Sequence, residues 1–195
     1  MKGNQIMPRK RKTSSPAIGV ELLQATFSVT NKQKTFHTPE VDRIMDEATL
    51  LLRAKKGAQA EHLFRRAITL EPLQPDLLNN LATSLTLQGR EAEGMRLIET
   101  VHILFPDYLF ARTSLATIAM RAGNYEQASK LLAPLFSRRE FHVSEFNALC
   151  PALIEFSIFT KHYHSARIWF ETWSNPDPKN PKLDFYRDLL QKAGA

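Results

Sequence analysis

The sequence predicts an all-α chain in which antiparallel helix pairs stack side by side, and three observations carry that prediction. Apolar and small residues recur with a period of about 34 residues: Leu78, Leu81, Ala82, Leu85 and Gly89 fall on Arg112, Leu115, Ala116, Ala119 and Gly123. The same displacement carries Ala60, Phe64, Ala67 and Pro72 onto Gly94, Ile98, Val101 and Pro106, and onward to Ala128, Leu132 and Leu135. Glycine and proline punctuate the copies, Gly89 and Gly123 after each first helix and Pro72 and Pro106 after each second. Small residues at Ala60, Ala82, Gly94, Ala116 and Ala128 allow two helices to approach closely, with larger apolar residues filling the space beside them.

Residues 1–37 read as a basic, mostly disordered tail, with Pro8, Pro16 and the Thr13-Ser14-Ser15 cluster and little periodicity. Val20, Leu22, Leu23 and Phe27 form its one apolar stripe, read as a transient turn or a docking segment. Helical order begins at Thr38-Pro39-Glu40, an N-cap, a first helical residue and an early acid. Val41, Ile44, Ala48, Leu51 and Leu52 face inward from the first helix. Lys55, Lys56 and Gly57 make the turn, and Ala60, Leu63, Phe64, Ala67 and Leu70 line the return helix.

The second pair runs from about Pro75 to Leu104. Asp107 is placed to cap the next helix, and Asn124 with Gln127 resembles a capping box. Pro134 interrupts the helix that follows, because an interior proline removes a backbone bond and clashes one turn back. The charged connection 137–142 is the least repeat-like loop. A fourth pair is expected over 144–173, with Phe146, Leu149, Leu153 and Phe156 inside one helix, Ala166, Phe170 and Trp173 inside the next, and Pro151 kinking or starting the first. His162 and His164 are read as flanking Tyr163 in the turn between them. Leu183, Phe185, Tyr186, Leu189 and Leu190 then mark an amphipathic last helix that caps the stack.

The second-helix run Ala60, Phe64, Ala67, Pro72 and the first-helix pattern Leu78, Leu81, Ala82, Leu85, Gly89 resemble the tetratricopeptide repeat family, as do Leu115, Ala116, Gly123, Tyr125 and Ala128. No Trp opens a repeat, Lys55 stands for the turn Gly of copy one, and Gly94 stands for the second-helix Ala, a helix-propensity cost of roughly 0.5–1 kcal/mol. The resemblance implies a right-handed superhelical solenoid over residues 38–195: repeats at about 41–74, 75–108 and 109–142, a divergent pair at 144–178 and a cap helix at 181–193. It further implies a noncatalytic scaffold that receives a partner protein or peptide in the groove lined by first helices. The groove residues are then Asn79, Asn80, Thr83, Thr86, Thr113, Thr117 and Arg121, neutral and hydrogen-bonding apart from the last. Family members that grip the acidic C-termini of heat-shock chaperones use Lys, Asn and Arg. Asn80 matches, but Met45, Thr49, Phe110 and Ser114 stand at the other positions, so no tight grip on such a terminus is expected.

Of the formal net charge of +6, seven basic and two acidic residues before Val41 supply +5, leaving a nearly neutral body. Arg9, Lys10, Arg11 and Lys12 suit phosphate neutralisation, an anionic surface or nuclear import, and make a nucleic-acid-associated adaptor the alternative reading. No aromatic residues interleave with that run to stack bases. No run of residues approaches a membrane span, no secretory signal is expected, and a cytoplasmic setting is the default, or a nuclear one in a eukaryote. The single Cys150 excludes an intramolecular disulfide. His37, His62, His102, His142, His162 and His164 show no ligand spacing, so neither a metal, a cofactor nor a catalytic residue is expected. The aromatic cluster Phe156, Phe159, Tyr163, Trp169, Phe170 and Trp173 reads first as core and second as a partner surface. Oligomeric state has no signature in the sequence.

Overall fold

The computed structural model describes residues 27–32 and 36–194, and it is predominantly helical. Among the described residues the helices are α1 (Pro39–Arg53), α2 (Gly57–Leu70), α3 (Pro75–Thr86), α4 (Glu91–Leu104), α5 (Leu109–Arg121), α6 (Tyr125–Leu132), α7 (Val143–Phe159), α8 (Tyr163–Ser174) and α9 (Leu183–Ala193). Each of α1/α2, α3/α4, α5/α6 and α7/α8 packs as a pair, and α9 closes against α8.

Local signals account for most boundaries. The Thr38 hydroxyl accepts from the Val41 N–H and Pro39 occupies the first turn, which fixes the start of α1. The turns inside the first three pairs each contain one left-handed residue at the same repeat position: Lys55 (φ 57°), Gly89 (φ 76°) and Gly123 (φ 74°). Only the first carries a side-chain penalty there, of about 1–2 kcal/mol. Pro134 ends α6 at Leu132 and the chain tightens into a 3-10 turn, Ala133–Ser137. Pro151, by contrast, lies within α7 without ending it.

Other expectations fail for physical reasons. Asp107 is exposed and caps nothing; α5 starts after Tyr108 with no side-chain cap. Asn124 accepts from the Gln127 N–H at 3.1 Å, but that is half of a capping box. The fuller cap opens α7, where Glu145 accepts from the His142 N–H (2.9 Å) and His142 Nδ1 accepts from the Ser144 N–H (3.2 Å). Nor is the connection after the 3-10 turn irregular. β2 (Glu140–His142) pairs in parallel with β1 (Ser28–Thr30), in register Ser28 to Glu140, Val29 to Phe141 and Thr30 to His142. Residues expected in a disordered tail are thus held in a two-stranded sheet, and the chain is not purely helical. Val20, Leu22, Leu23 and the run Arg9, Lys10, Arg11, Lys12 lie outside the described residues.

Gly94 is also misjudged by propensity alone. A Cβ there would sit 2.9 Å from the Ala82 carbonyl oxygen and 2.7 Å from Thr86 Oγ1, so α3 and α4 approach too closely for alanine. Among the described residues the buried side chains form three clusters. One lies under α1, α2 and α3; a small one joins Ala82, Ile98, Val101 and Ala111; the largest spans α5 to α9 around Trp169 and Trp173.

His37 fastens the chain ahead of α1. Its Nδ1 lies 2.6 Å from Glu71 Oε2 and its Nε2 2.9 Å from Asp76 Oδ2, while Glu71 Oε1 accepts from the Thr38 N–H at 2.7 Å. Burial opposes the charge on His37, but its hydrogen bonds to Asp76 and Glu71 and their negative charge outweigh burial and raise its pKa. The Thr38 N–H and His37 hold the Glu71 carboxyl down at about 2.

Two outcomes follow from this packing. Gly94→Ala, which propensity favours, is expected to destabilise the fold by about 1–3 kcal/mol in urea unfolding; equal or higher stability would show that the close approach relaxes freely. The histidinium contributes stability fully present below its ordinary pKa of about 6.5 and lost as pH rises through its raised folded value. Glu71 contributes stability present above about 4.3 and lost as pH falls towards about 2. NMR titration of His37 should therefore place its midpoint above that of a free histidine, and His37→Gln should remove an alkaline limb from the pH profile of Tm.

Candidate functional site

A cavity of about 780 Å³ opens where the second helix pair meets the third and fourth. Its first wall comes from α3 (Ala82, Thr83, Thr86) and the start of α4, where Gly94 and Ala92 stand beside Met95 and Ile98. Small residues on this wall leave the space open. The facing wall is two stripes at helical spacing, Thr113, Thr117 and Arg121 on α5 and Asn147, Pro151 and Glu155 on α7. Each α7 residue lies 34 positions after its α5 counterpart, so the two stripes are one repeat position used twice. Lys182 and Tyr186 of the α9 segment form the rim.

Five of the seven residues read as a groove line this cavity: Thr83, Thr86, Thr113, Thr117 and Arg121. Asn79 and Asn80 do not; both are half-buried, and Asn79 Oδ1 is buried without a hydrogen-bond partner. The threonines also differ from expectation. Thr83, Thr86 and Thr113 donate their hydroxyl protons to the carbonyls of Asn79, Ala82 and Leu109, each at 3.1 Å. What they present to the cavity is methyl surface and acceptor lone pairs, not donors.

Charge sits at the edge. Among the described residues neither Arg121 nor Lys182 makes an ion pair, and both are exposed. Glu155 accepts from the Tyr186 hydroxyl at 2.7 Å, which joins α9 to α7 across the rim. Burial raises the pKa of that phenol, and the hydrogen bond and charge of Glu155 add to the shift against the opposing Arg121. Trp173 Nε1 donates to Asn147 Oδ1 at 2.8 Å, anchoring the α7 stripe to α8. Asn147, Pro151, Glu155, Lys182 and Tyr186 were not read from the sequence as site residues. Continuing the 34-residue spacing past Pro134 picks out the first three.

A second, more open cavity of about 540 Å³ lies between α1 and α2, beside Leu51, His62 and Leu63. It gathers no convergent set of charged side chains.

The remaining candidates resolve into structure. His162 closes the turn and Tyr163 and His164 open α8, rather than all three lying in the turn. His162 Nδ1 lies 2.9 Å from Thr160 Oγ1, and His102 is driven to a lower pKa by burial, with Arg112 adding to it. Among the described residues no three His, Cys, Asp or Glu side chains converge to hold a metal ion. Phe156, Trp169 and Trp173 are interior; Phe159 is 42 % exposed and stacks on Tyr125 with centroids 6.0 Å apart. Half of the aromatic cluster is core; Tyr163 and Phe170 are half-buried and Phe159 lies at the surface. No described helix is long and apolar enough to cross a membrane.

No family model, curated protein or solved structure matches the chain.

Cys150 is fully buried and burial pushes its thiol well above the ordinary value, which disfavours the nucleophilic thiolate. A thiol reagent at pH 8 should leave Cys150 unmodified in the folded chain and label it completely in denaturant. Rapid labelling of the native protein would reopen a chemical role for it.

Proposed function

We propose that this chain is a noncatalytic interaction scaffold of tetratricopeptide-repeat type, a right-handed stack of helix pairs that holds a segment of a partner protein in the cavity between α3/α4 and α5/α7. The observation that carries the reading is the lining itself. It combines an apolar floor of Ala82, Met95, Ile98 and Ala152 with cations at Arg121 and Lys182 that make no ion pair among the described residues, and with the carboxylates of Glu91 and Glu155. Such a surface takes apolar side chains into the floor and sets their register with a few charged contacts at the rim. The repeat assignment is supported by Lys55, Gly89 and Gly123, left-handed residues 34 positions apart. It is supported again by the small buried residues Ala48, Ala82, Ala116 and Cys150 at the same interval.

The basic run at Arg9, Lys10, Arg11 and Lys12 supports a different attachment, to nucleic acid, and one experiment separates the two. Affinity capture from native lysate would compare the full chain, Arg121→Glu with Thr117→Glu, and a chain lacking residues 1–12, each with and without nuclease. On the scaffold reading the cavity variant loses about tenfold or more of its partner, since reversing a rim charge and placing a second carboxylate on the α5 wall cost at least about 1.4 kcal/mol. The truncated chain keeps its partner. Capture that disappears with nuclease or with the truncation, and survives the cavity substitutions, would replace the scaffold reading with the nucleic-acid one.

A further inference from the structure

The segment before α1 is anchored in two different helix pairs. At one end Phe27 packs among Phe141, Phe146 and Trp169, with ring centroids 5.7, 5.8 and 6.5 Å away. The Ser28 N–H donates to the Arg139 carbonyl at 2.9 Å, and β1 pairs with β2. This anchor lies where the third helix pair meets the fourth. At the other end His37, with 2 % of its side chain exposed, is held between Glu71 and Asp76, where the first pair meets the second.

Among the described residues, the junction that these anchors straddle is thinner than either of the other two junctions between helix pairs. α2 packs closely on α3, and α5 on α7, but α4 meets α5 through much less contact. Its fully buried members are Ala82, Ile98, Val101 and Ala111, all small or aliphatic, with Phe105 and Tyr108 packed against them only partly buried. The cavity opens at this same junction, with α3 and α4 on one side and α5 and α7 on the other. Any motion that widens it separates the first two pairs from the last two.

We propose that the two anchors, Phe27–Thr30 and His37–Thr38, being joined by a short length of chain, tie the first two helix pairs to the last two as a brace and limit the aperture of the cavity. The seven peptide steps from Thr30 to His37 reach at most about 25 Å. While both anchors hold, the two halves of the stack cannot separate beyond that reach along this edge. Freeing either anchor leaves the α4/α5 cluster and the short link between these two helices as the main restraints. The consequence for ligand entry rests on the cavity being the binding site; the brace itself does not.

The test lengthens the tether and leaves both anchors in place. About ten Gly and Ser residues, a flexible linker, are inserted between Asn31 and Phe36, and Phe27→Ala is made separately to free the sheet end. Spin labels at Gln59→Cys on α2 and Gln191→Cys on α9, both exposed positions, report the separation of the two halves, and buried Cys150 stays unlabelled. The native chain should give one narrow distance distribution. The insertion should broaden it towards longer distances and speed amide exchange in α4 and α5 about fourfold, the factor by which effective concentration falls when a tether grows from seven steps to about 17. Phe27→Ala should move both in the same direction. Identical distributions and exchange in the native and lengthened chains would overturn the brace. Distances need no partner, so they are independent of the Arg121→Glu capture assay; a widened distribution with capture unchanged would overturn the link between brace and binding.

Discussion

The closeness of α3 and α4 at Ala82 and Gly94 is the constraint on which the rest of the stack depends. With the Ala82 carbonyl 2.9 Å from where a Gly94 Cβ would lie, the two helices are too near to admit a side chain there. That approach aligns Ile98 and Val101 under α5 and places Met95 and Thr86 on one cavity wall. The other pairs use the same device with slightly larger residues, Ala48 with Ala60 and Ala116 with Ala128, all fully buried. In the fourth pair Cys150 and Ala166 take these positions. The cysteine is therefore explained by size: it is the small residue that a first helix needs there.

The helical part of the fold was legible because its determinants are local and periodic. Thr38 and Pro39 start α1, Gly89 and Gly123 turn the chain, and the small-residue positions repeat. The strands were not legible, because Ser28, Val29 and Thr30 are three residues whose partners lie 112 positions later. No periodicity of two can show in so short a run, and the anchor that holds it, Phe27 against Trp169, is a tertiary contact. Gly94 was misread for a related reason. Propensity scores a residue against its own helix, whereas its cost here is set by the neighbouring one.

The candidate site was half legible for a third reason. Residues of α5 were found because the period was followed that far. The stripe on α7 was missed where Pro134 and Pro151 suggested that the repeat had ended. In fact α7 keeps the register of α5 from Asn147 to Glu155 and then runs one turn longer, 17 residues against 13. The extra turn displaces the left-handed residue from the position that Gly89 and Gly123 predict to Lys161 (φ 63°), which hid the fourth pair's kinship from the spacing.

That same register gives the cavity its electrostatic asymmetry. Arg121 and Glu155 occupy one repeat position on adjacent helices, and among the described residues they do not pair with each other. Glu155 is engaged by the Tyr186 hydroxyl, so its charge is tied into the contact between α7 and α9. Arg121 is left facing the opening with Lys182. The cap helix thus does two jobs with one face. Leu183 and Leu190 cover the apolar side of the last pair, as the end of a stack requires. Tyr186, between them on the same stripe, reaches Glu155 and leaves Arg121 and Lys182 without an ion pair among the described residues. Loss of that one hydroxyl would unfasten α9 from Glu155 while leaving the charge of the lining and its apolar floor unchanged.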